Sequence, residues 1–235
     1  MKIPKRCKVT ILGDSIPKGI FTQDNKLQKV HENAVSLIAK HYALEINNLS
    51  SYGQTLSRLI KKGILNEYLN SLNKKDFNVA VISLGGNDAD YNWVAVGKAP
   101  TKLHLPKTPP KDFEKLLNDT ILMLKKKKVR VFLTNIPPID SKRYFLQVIS
   151  RQADKESVLT FLNGDIENIY RHQELYNSII TQCAIKNNCT LLDVRSKLLG
   201  KVNYLDYMSE DGIHPNQTGH KKIAKAIIEQ LDAIK

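Results

Sequence analysis

The chain has 235 residues and a formal net charge of +13, with 42% hydrophobic and 25% charged residues. That length and apolar content support a sizeable core without disulfide staples, and they exclude a disordered chain. The three cysteines, Cys7, Cys183 and Cys189, form no CxxC pair and no zinc-ligand spacing, so reduced thiols and no metal site are expected. The longest early apolar run, 9–12, is too short for a secretory signal, which needs about seven or more residues. No stretch approaches the roughly 18 apolar residues of a membrane span. A soluble, cytoplasmic protein is the expectation. The positive charge comes from 29 lysines and only seven arginines. Nucleic-acid readers lean on the bidentate arginine fork, so a solvated lysine-rich surface is expected and no nucleic-acid partner.

In chain order, residues 8–12 (KVTIL) read as a strand and 33–42 (NAVSLIAKHY) as a helix, followed by a weaker strand at 45–49. Helices follow at 55–62 and 64–72, then the clearest strand, 79–84 (VAVISL), continuously apolar as a buried parallel strand should be. A helix at 112–127 precedes the strand 130–134 (RVFLT), which is ended by Asn135 and the Pro137-Pro138 pair. The chain then continues through a helix at 165–186, a strand at 190–194 and a last amphipathic helix at 217–234. Strands alternating with helices predict βαβ units. The expected fold is α/β: a three-layer α/β/α sandwich with a five-stranded parallel sheet, flavodoxin-like in outline. One domain over 1–235 is expected, with insertions at about 89–111 and 137–164. Both insertions follow strands and so should lie over the carboxyl edge, where open α/β sheets bind ligands.

The residues at the strands' carboxyl ends are chemically coherent. Gly13-Asp14-Ser15 follows the first strand, Ser50 to Thr55 (SSYGQT) the second, and Gly85-Gly86-Asn87-Asp88 the third. Asp211-Gly212-Ile213-His214-Pro215 comes after the fifth. A serine hydroxyl needs a base before it can attack. Histidine suits that task near neutral pH, and Asp211, three residues before His214, can hold its second nitrogen. An oxyanion needs preorganised donors, which glycine-containing loops and the Asn87 amide can supply. These are the parts of an acyl-transfer site.

These four blocks resemble the SGNH, or GDSL, family of serine esterases and lipases. Gly13-Asp14-Ser15 matches the first family block, Gly53 the glycine of the second, Gly85 and Asn87 the GxND block, and Asp211 to Pro215 the DxxHP block. They occur in family order across nearly the whole chain. The first block continues with Ile16 where the pattern has leucine, a conservative change. The resemblance implies the SGNH hydrolase fold and a carboxylic ester hydrolase using no metal or organic cofactor. It implies Ser15 as nucleophile, His214 as general base and then acid, and Asp211 as the residue orienting His214. The oxyanion hole it implies is the N–H of Ser15, the N–H of Gly53 and the Asn87 amide. The expected substrate is a small-molecule ester, a small or short-chain acyl group being favoured. Lysophospholipase or thioesterase action is the alternative within the fold, and a catalytically silent SGNH-like binding protein the alternative outside catalysis.

Other residues read as supporting. Asp14 is expected to shape its turn and Asp88 to brace its loop. Trp93, His104 and Tyr144, in the insertions, are candidate substrate-binding residues, with Tyr91 and Phe145 as further pocket candidates. Lys18, Lys98, Lys102 and Lys107 are placed near the presumed cleft, where they could favour an anionic ester. A nucleotide-binding α/β protein would carry GxGxxG or GxxxxGK[ST] after the first strand; residues 13–19 read GDSIPKG and fit neither.

Overall fold

The computed structural model describes residues 4–200 and 203–234. Strand β1 (Cys7–Gly13) leads into a single helical turn, α1 (Ser15–Lys18), and then a hairpin, β2 (Ile20–Gln23) and β3 (Lys26–Lys29). Helix α2 (Ala34–Tyr42) returns the chain to β4 (Ile46–Asn48). Helices α3 (Leu56–Lys61) and α4 (Ile64–Ser71) precede β5 (Phe77–Ser83). Two short helices, α5 (Gly86–Ala89) and α6 (Trp93–Lys98), come before the long α7 (Pro110–Lys126) and β6 (Arg130–Thr134). Then follow α8 (Ser141–Gln147), α9 (Lys155–Phe161), α10 (Glu167–Lys186), β7 (Thr190–Leu192), α11 (Arg195–Leu199) and α12 (Gln217–Ala233).

The main sheet has the order β4-β1-β5-β6-β7, and every pairing in it is parallel. This is the doubly wound α/β arrangement expected from the sequence. The order in which successive strands join the sheet reverses between β1 and β5, and that switch point opens a crevice at their carboxyl ends. The pairing there is the longest in the sheet, running from Cys7 opposite Phe77 to Gly13 opposite Ser83. Ser15 and Asn87 leave the sheet from these two neighbouring strands.

Alternation along the strands builds a core on each face. Leu12, Ala80, Ile82, Val131 and Leu133 face α3, α4, α7 and α10. Val79, Phe132 and Leu192 face α2, α11 and α12. Helix starts follow local chemistry: Asn33 caps α2 by accepting from Ser36 N–H, Pro110 opens α7, and Asn216 caps α12 by accepting from Gly219 N–H. A third apolar cluster joins Trp93 and Val96 of segment 89–111 to Tyr144, Phe145, Ile149 and Val158 of segment 137–164. Packing on the α2/α12 face is looser. A cavity of about 560 Å³ lies there, lined by Val9, Val81, Phe132, Ile38 and Ile227, and leaves Val81 of the central strand only half-buried.

The hairpin is the main departure from the sequence expectation. Its strands are mostly polar and half to fully exposed, so they show little apolar alternation. Its signature is the two-residue turn Asp24-Asn25, both with positive φ (51° and 58°), a conformation these two residue types tolerate. Segments 89–111 and 137–164 also carry helices, α6, α8 and α9, where the sequence pattern predicts none.

Candidate active site

Ser15 is the first residue of α1. Asp14 caps that turn, its Oδ1 accepting from Ile16 N–H at 2.9 Å. The turn is tight because a Cβ on Gly13 would lie 2.4 Å from Pro17 Cγ and 2.6 Å from Ser50 Oγ. Burial raises the Asp14 carboxyl to about 6. His214 lies in the loop before α12, and its Nε2 is 2.8 Å from Ser15 Oγ across 199 residues of chain. Its Nδ1 is 2.7 Å from Asp211 Oδ2. The other Asp211 oxygen accepts the N–H groups of Ile213 and His214, each at 3.0 Å. All three side chains are buried, at 4–5% exposure.

The hairpin supplies a further member. Thr22 Oγ1 donates to Asp211 Oδ2, the same oxygen that holds His214. The hairpin is docked at its tip, where Glu210 accepts from Asp24 and Asn25 N–H at 3.2 Å each and Arg151 reaches Asn25 Oδ1 at 2.7 Å. Burial pushes the Asp211 carboxyl up, but the His214 hydrogen bond and charge, then the Thr22 hydroxyl, outweigh it and hold the group at about 2. Asp211 is therefore a carboxylate throughout the neutral range.

Gly53 and Asn87 line the same cleft as Ser15 and His214. Gly53 has φ +65°, which favours glycine, although a Cβ there would meet nothing closer than 3.9 Å. Among the described residues, no hydrogen bond takes up the Gly53 N–H or the Asn87 side-chain amide. Asp88 sits behind Asn87, fully buried, accepting from Leu56 N–H with both oxygens at 3.0 and 3.1 Å. It ties the β5 loop to α3, and burial raises it to about 6. The Tyr52 ring lies over His214, with centroids 6.3 Å apart and planes 25° apart.

The cleft has a volume of about 910 Å³. Trp93 and Tyr144 line it, and both direct their polar atoms to one carboxylate. Asp90 Oδ1 accepts from Trp93 Nε1 at 2.8 Å and from Tyr144 OH at 2.9 Å, while Oδ2 pairs with Lys107 Nζ at 2.7 Å. His104 is placed elsewhere. Its Nε2 is 2.8 Å from Ala99 O, its ring packs edge-on against Phe161, and it does not line the cleft. Of the four lysines placed near the cleft by sequence, Lys107 lines it; Lys18, Lys98 and Lys102 do not. Phe145 packs in the third apolar cluster, and Tyr91 lines the cleft.

The sequence gives no role to Thr22, Tyr52 or Asp90, which the structure places in this region. The Asp24-Asn25 turn could have revealed the hairpin, but nothing local connects Thr22 to a carboxylate 189 residues away. Among the described residues, no group of three or more His, Cys, Asp or Glu could hold a metal ion. No helix among them is long and apolar enough to cross a membrane.

Fold and site together have the layout of an SGNH-type hydrolase. The chain belongs to the GDSL-like lipase/acylhydrolase family, whose model matches residues 9–227. Solved structures share the fold at low identity. A lipase/acylhydrolase from Enterococcus faecalis is 18% identical, with 95% of this chain and 94% of that one covered and a TM-score of 0.64. A lipolytic protein of the G-D-S-L family from Veillonella parvula is 14% identical, covering 97% and 100%, with a TM-score of 0.66. The psychrotrophic esterase EstA from Pseudoalteromonas sp., in a structure inhibited by monoethylphosphonate, is 18% identical, covering 96% of both chains, with a TM-score of 0.57. No curated protein matches this chain in sequence. The family places the protein among hydrolases of the esterase and lipase type.

Proposed function

We propose that the protein is a serine acylhydrolase that cleaves a carboxylic ester through an acyl-enzyme. The observation that carries this reading is the continuous chain of contacts from Ser15 Oγ to His214 Nε2 (2.8 Å) and from His214 Nδ1 to Asp211 Oδ2 (2.7 Å). Ser15 Oγ attacks the carbonyl carbon while its proton passes to His214 Nε2. The carbonyl oxygen becomes an oxyanion facing the N–H groups of Ser15 and Gly53 and the Asn87 amide. As the intermediate collapses, the C–O bond to the alcohol breaks and His214 returns the proton to the departing oxygen. Water then repeats the sequence on the Ser15 ester: it gives a proton to His214, attacks the acyl carbon, and releases the acid and the regenerated hydroxyl. Asp211, held ionised, keeps Nδ1 protonated and Nε2 free to accept. The reading needs no metal and no organic cofactor.

A small or short-chain acyl group is favoured; lysophospholipase and thioesterase action are the alternatives. A fluorophosphonate probe tests the nucleophile, a chemistry supported by the phosphonate inhibition of EstA. Wild type should label and Ser15→Ala should not. Equal, weak labelling of both would remove the acylhydrolase reading in favour of a silent binding protein. A series of p-nitrophenyl esters of increasing chain length then reads the acyl preference.

A further inference from the structure

The segment from α5 to α7 closes on itself. Lys107 N–H donates to Asp90 O at 2.8 Å and Thr108 N–H to Asp88 O at 3.1 Å, so the residues between form one compact loop carrying α6. Residues 103–106 have no helical or turn structure, and their side chains alternate in and out. His104 is turned inward by its bond to Ala99 O and its packing on Phe161, and Pro106 is buried. Leu103 and Leu105 are thereby forced outward, 88% and 63% exposed. Leu103 is the most exposed large apolar side chain among the described residues. Val94, on α6 of the same loop, is 43% exposed.

The charge within this stretch of chain is one-sided. Residues 91–111 contain four lysines and no aspartate or glutamate. Lys107 pairs with Asp90, whereas Lys98, Lys102 and Lys111 are exposed and have no ion pair among the described residues. The base of the loop is the cleft wall, through Tyr91, Trp93 and Lys107.

We propose that this loop docks the protein on an anionic lipid surface. Leu103 and Leu105 enter the boundary between headgroups and acyl chains, and Lys98, Lys102 and Lys111 lie against lipid phosphates. A protein partner would need a contiguous face of about 800 Å² on each side. Two leucines projecting from a lysine-bearing loop suit a fluid interface better, where each side chain inserts by itself and cations meet anionic headgroups. Docking sets the cleft against the membrane, so the ester it takes is one held in that surface. This last step rests on the acylhydrolase reading; the docking does not.

The test is co-sedimentation with vesicles of phosphatidylcholine alone and of phosphatidylcholine with about one-third phosphatidylglycerol. Wild type should bind the anionic vesicles about tenfold or more tightly than the neutral ones. Leu103→Gln/Leu105→Gln should weaken that binding about tenfold to a hundredfold, the order expected for withdrawing two partly inserted leucines. Lys98→Gln/Lys102→Gln/Lys111→Gln should remove the preference for anionic vesicles. Both variants should unfold at the wild-type temperature and hydrolyse soluble p-nitrophenyl acetate at the wild-type rate. The proposal is overturned if wild type fails to sediment with anionic vesicles at low salt, or if the leucine variant binds them as wild type does. A wild-type dimer in light scattering that the leucine variant breaks would also overturn it, assigning the leucines to a second copy. Ser15→Ala separates the two readings: vesicle binding should persist in it whatever the outcome for hydrolysis.

Discussion

Thr22 has no place in the family blocks, yet its hydroxyl shares Asp211 Oδ2 with His214. Thr22→Val keeps the side-chain shape and removes this one hydrogen bond. Asp211 is held at about 2, below the ordinary aspartate range, which corresponds to about 2–3 kcal/mol of stability. The sign follows from a depressed folded pKa: the contribution is complete above about pH 4 and is lost as pH falls through 2. The Thr22 hydroxyl is one of several groups lowering this carboxyl, ranked after the His214 hydrogen bond and charge. Its removal should therefore cost about 1 kcal/mol at pH 7, below the roughly 1.5–3 kcal/mol of a full hydrogen bond to a charged group, because His214 and two backbone N–H groups also hold this carboxylate. Urea unfolding followed from pH 7 to pH 2 should show the gap between variant and wild type holding to about pH 3 and narrowing only as pH falls toward 2, where Asp211 protonates. A loosened Asp211 holds His214 less firmly, so kcat should fall about tenfold with KM unchanged. Thr22→Ser, which keeps the hydroxyl, should recover most of that loss. If Thr22→Val retains kcat within twofold, the hairpin does not position this site.

Three further outcomes can be checked independently. Asn87→Ala should lower kcat by about 10²–10³ with little change in unfolding, the magnitude of one lost oxyanion donor; a loss of only a few-fold would contradict that role. His220 is fully buried, with Nδ1 accepting from Ala34 N–H at 3.3 Å, and burial lowers its pKa to about 4. Between pH 6.5 and 4 the unfolded chain takes up a proton that the folded one refuses, so this residue alone should withdraw about 3 kcal/mol of stability over that interval. His220→Gln should lose that acid sensitivity, and parallel stability curves for variant and wild type would refute the argument. Val81→Ile places one methyl group into the cavity on the α2/α12 face and should raise the unfolding free energy by about 0.8 kcal/mol. A drop in stability would mean that the space is not available to a side chain there.

Features carried by short stretches were legible in the sequence. The strand 130–134 was read at the residues where it occurs, because a run of core residues bounded by lysines and prolines leaves little choice. Ser15, Asn87 and the Asp211–His214 pair were legible because strand ends, glycine turns and an i,i+3 carboxylate–imidazole spacing are local. The hairpin at 20–29 was not, because its faces are polar and its only marker is a two-residue turn. The insertions read as loops, since their prolines hide the short helices that form once Trp93, Tyr144 and Val158 share a core.

By itself, the sequence determined the order of the main-sheet strands and the longer helices, the residues standing at the sheet's carboxyl edge and the family to which they belong. Hydrogen-bond capping, strand periodicity and turn conformation act over a few residues, so the chain expresses them directly. Only the tertiary structure decided that Thr22 shares an oxygen with His214, that Asp90 takes up Trp93 and Tyr144, and that His104 turns in while Leu103 and Leu105 turn out. Those contacts join residues from three to 189 positions apart, and packing selects them from many partners that local pattern leaves equivalent. The net charge of +13 follows the same division. Composition counted the lysines, and the folded loop at 90–107, whose base lines the cleft, determined which of them share a loop with exposed leucines.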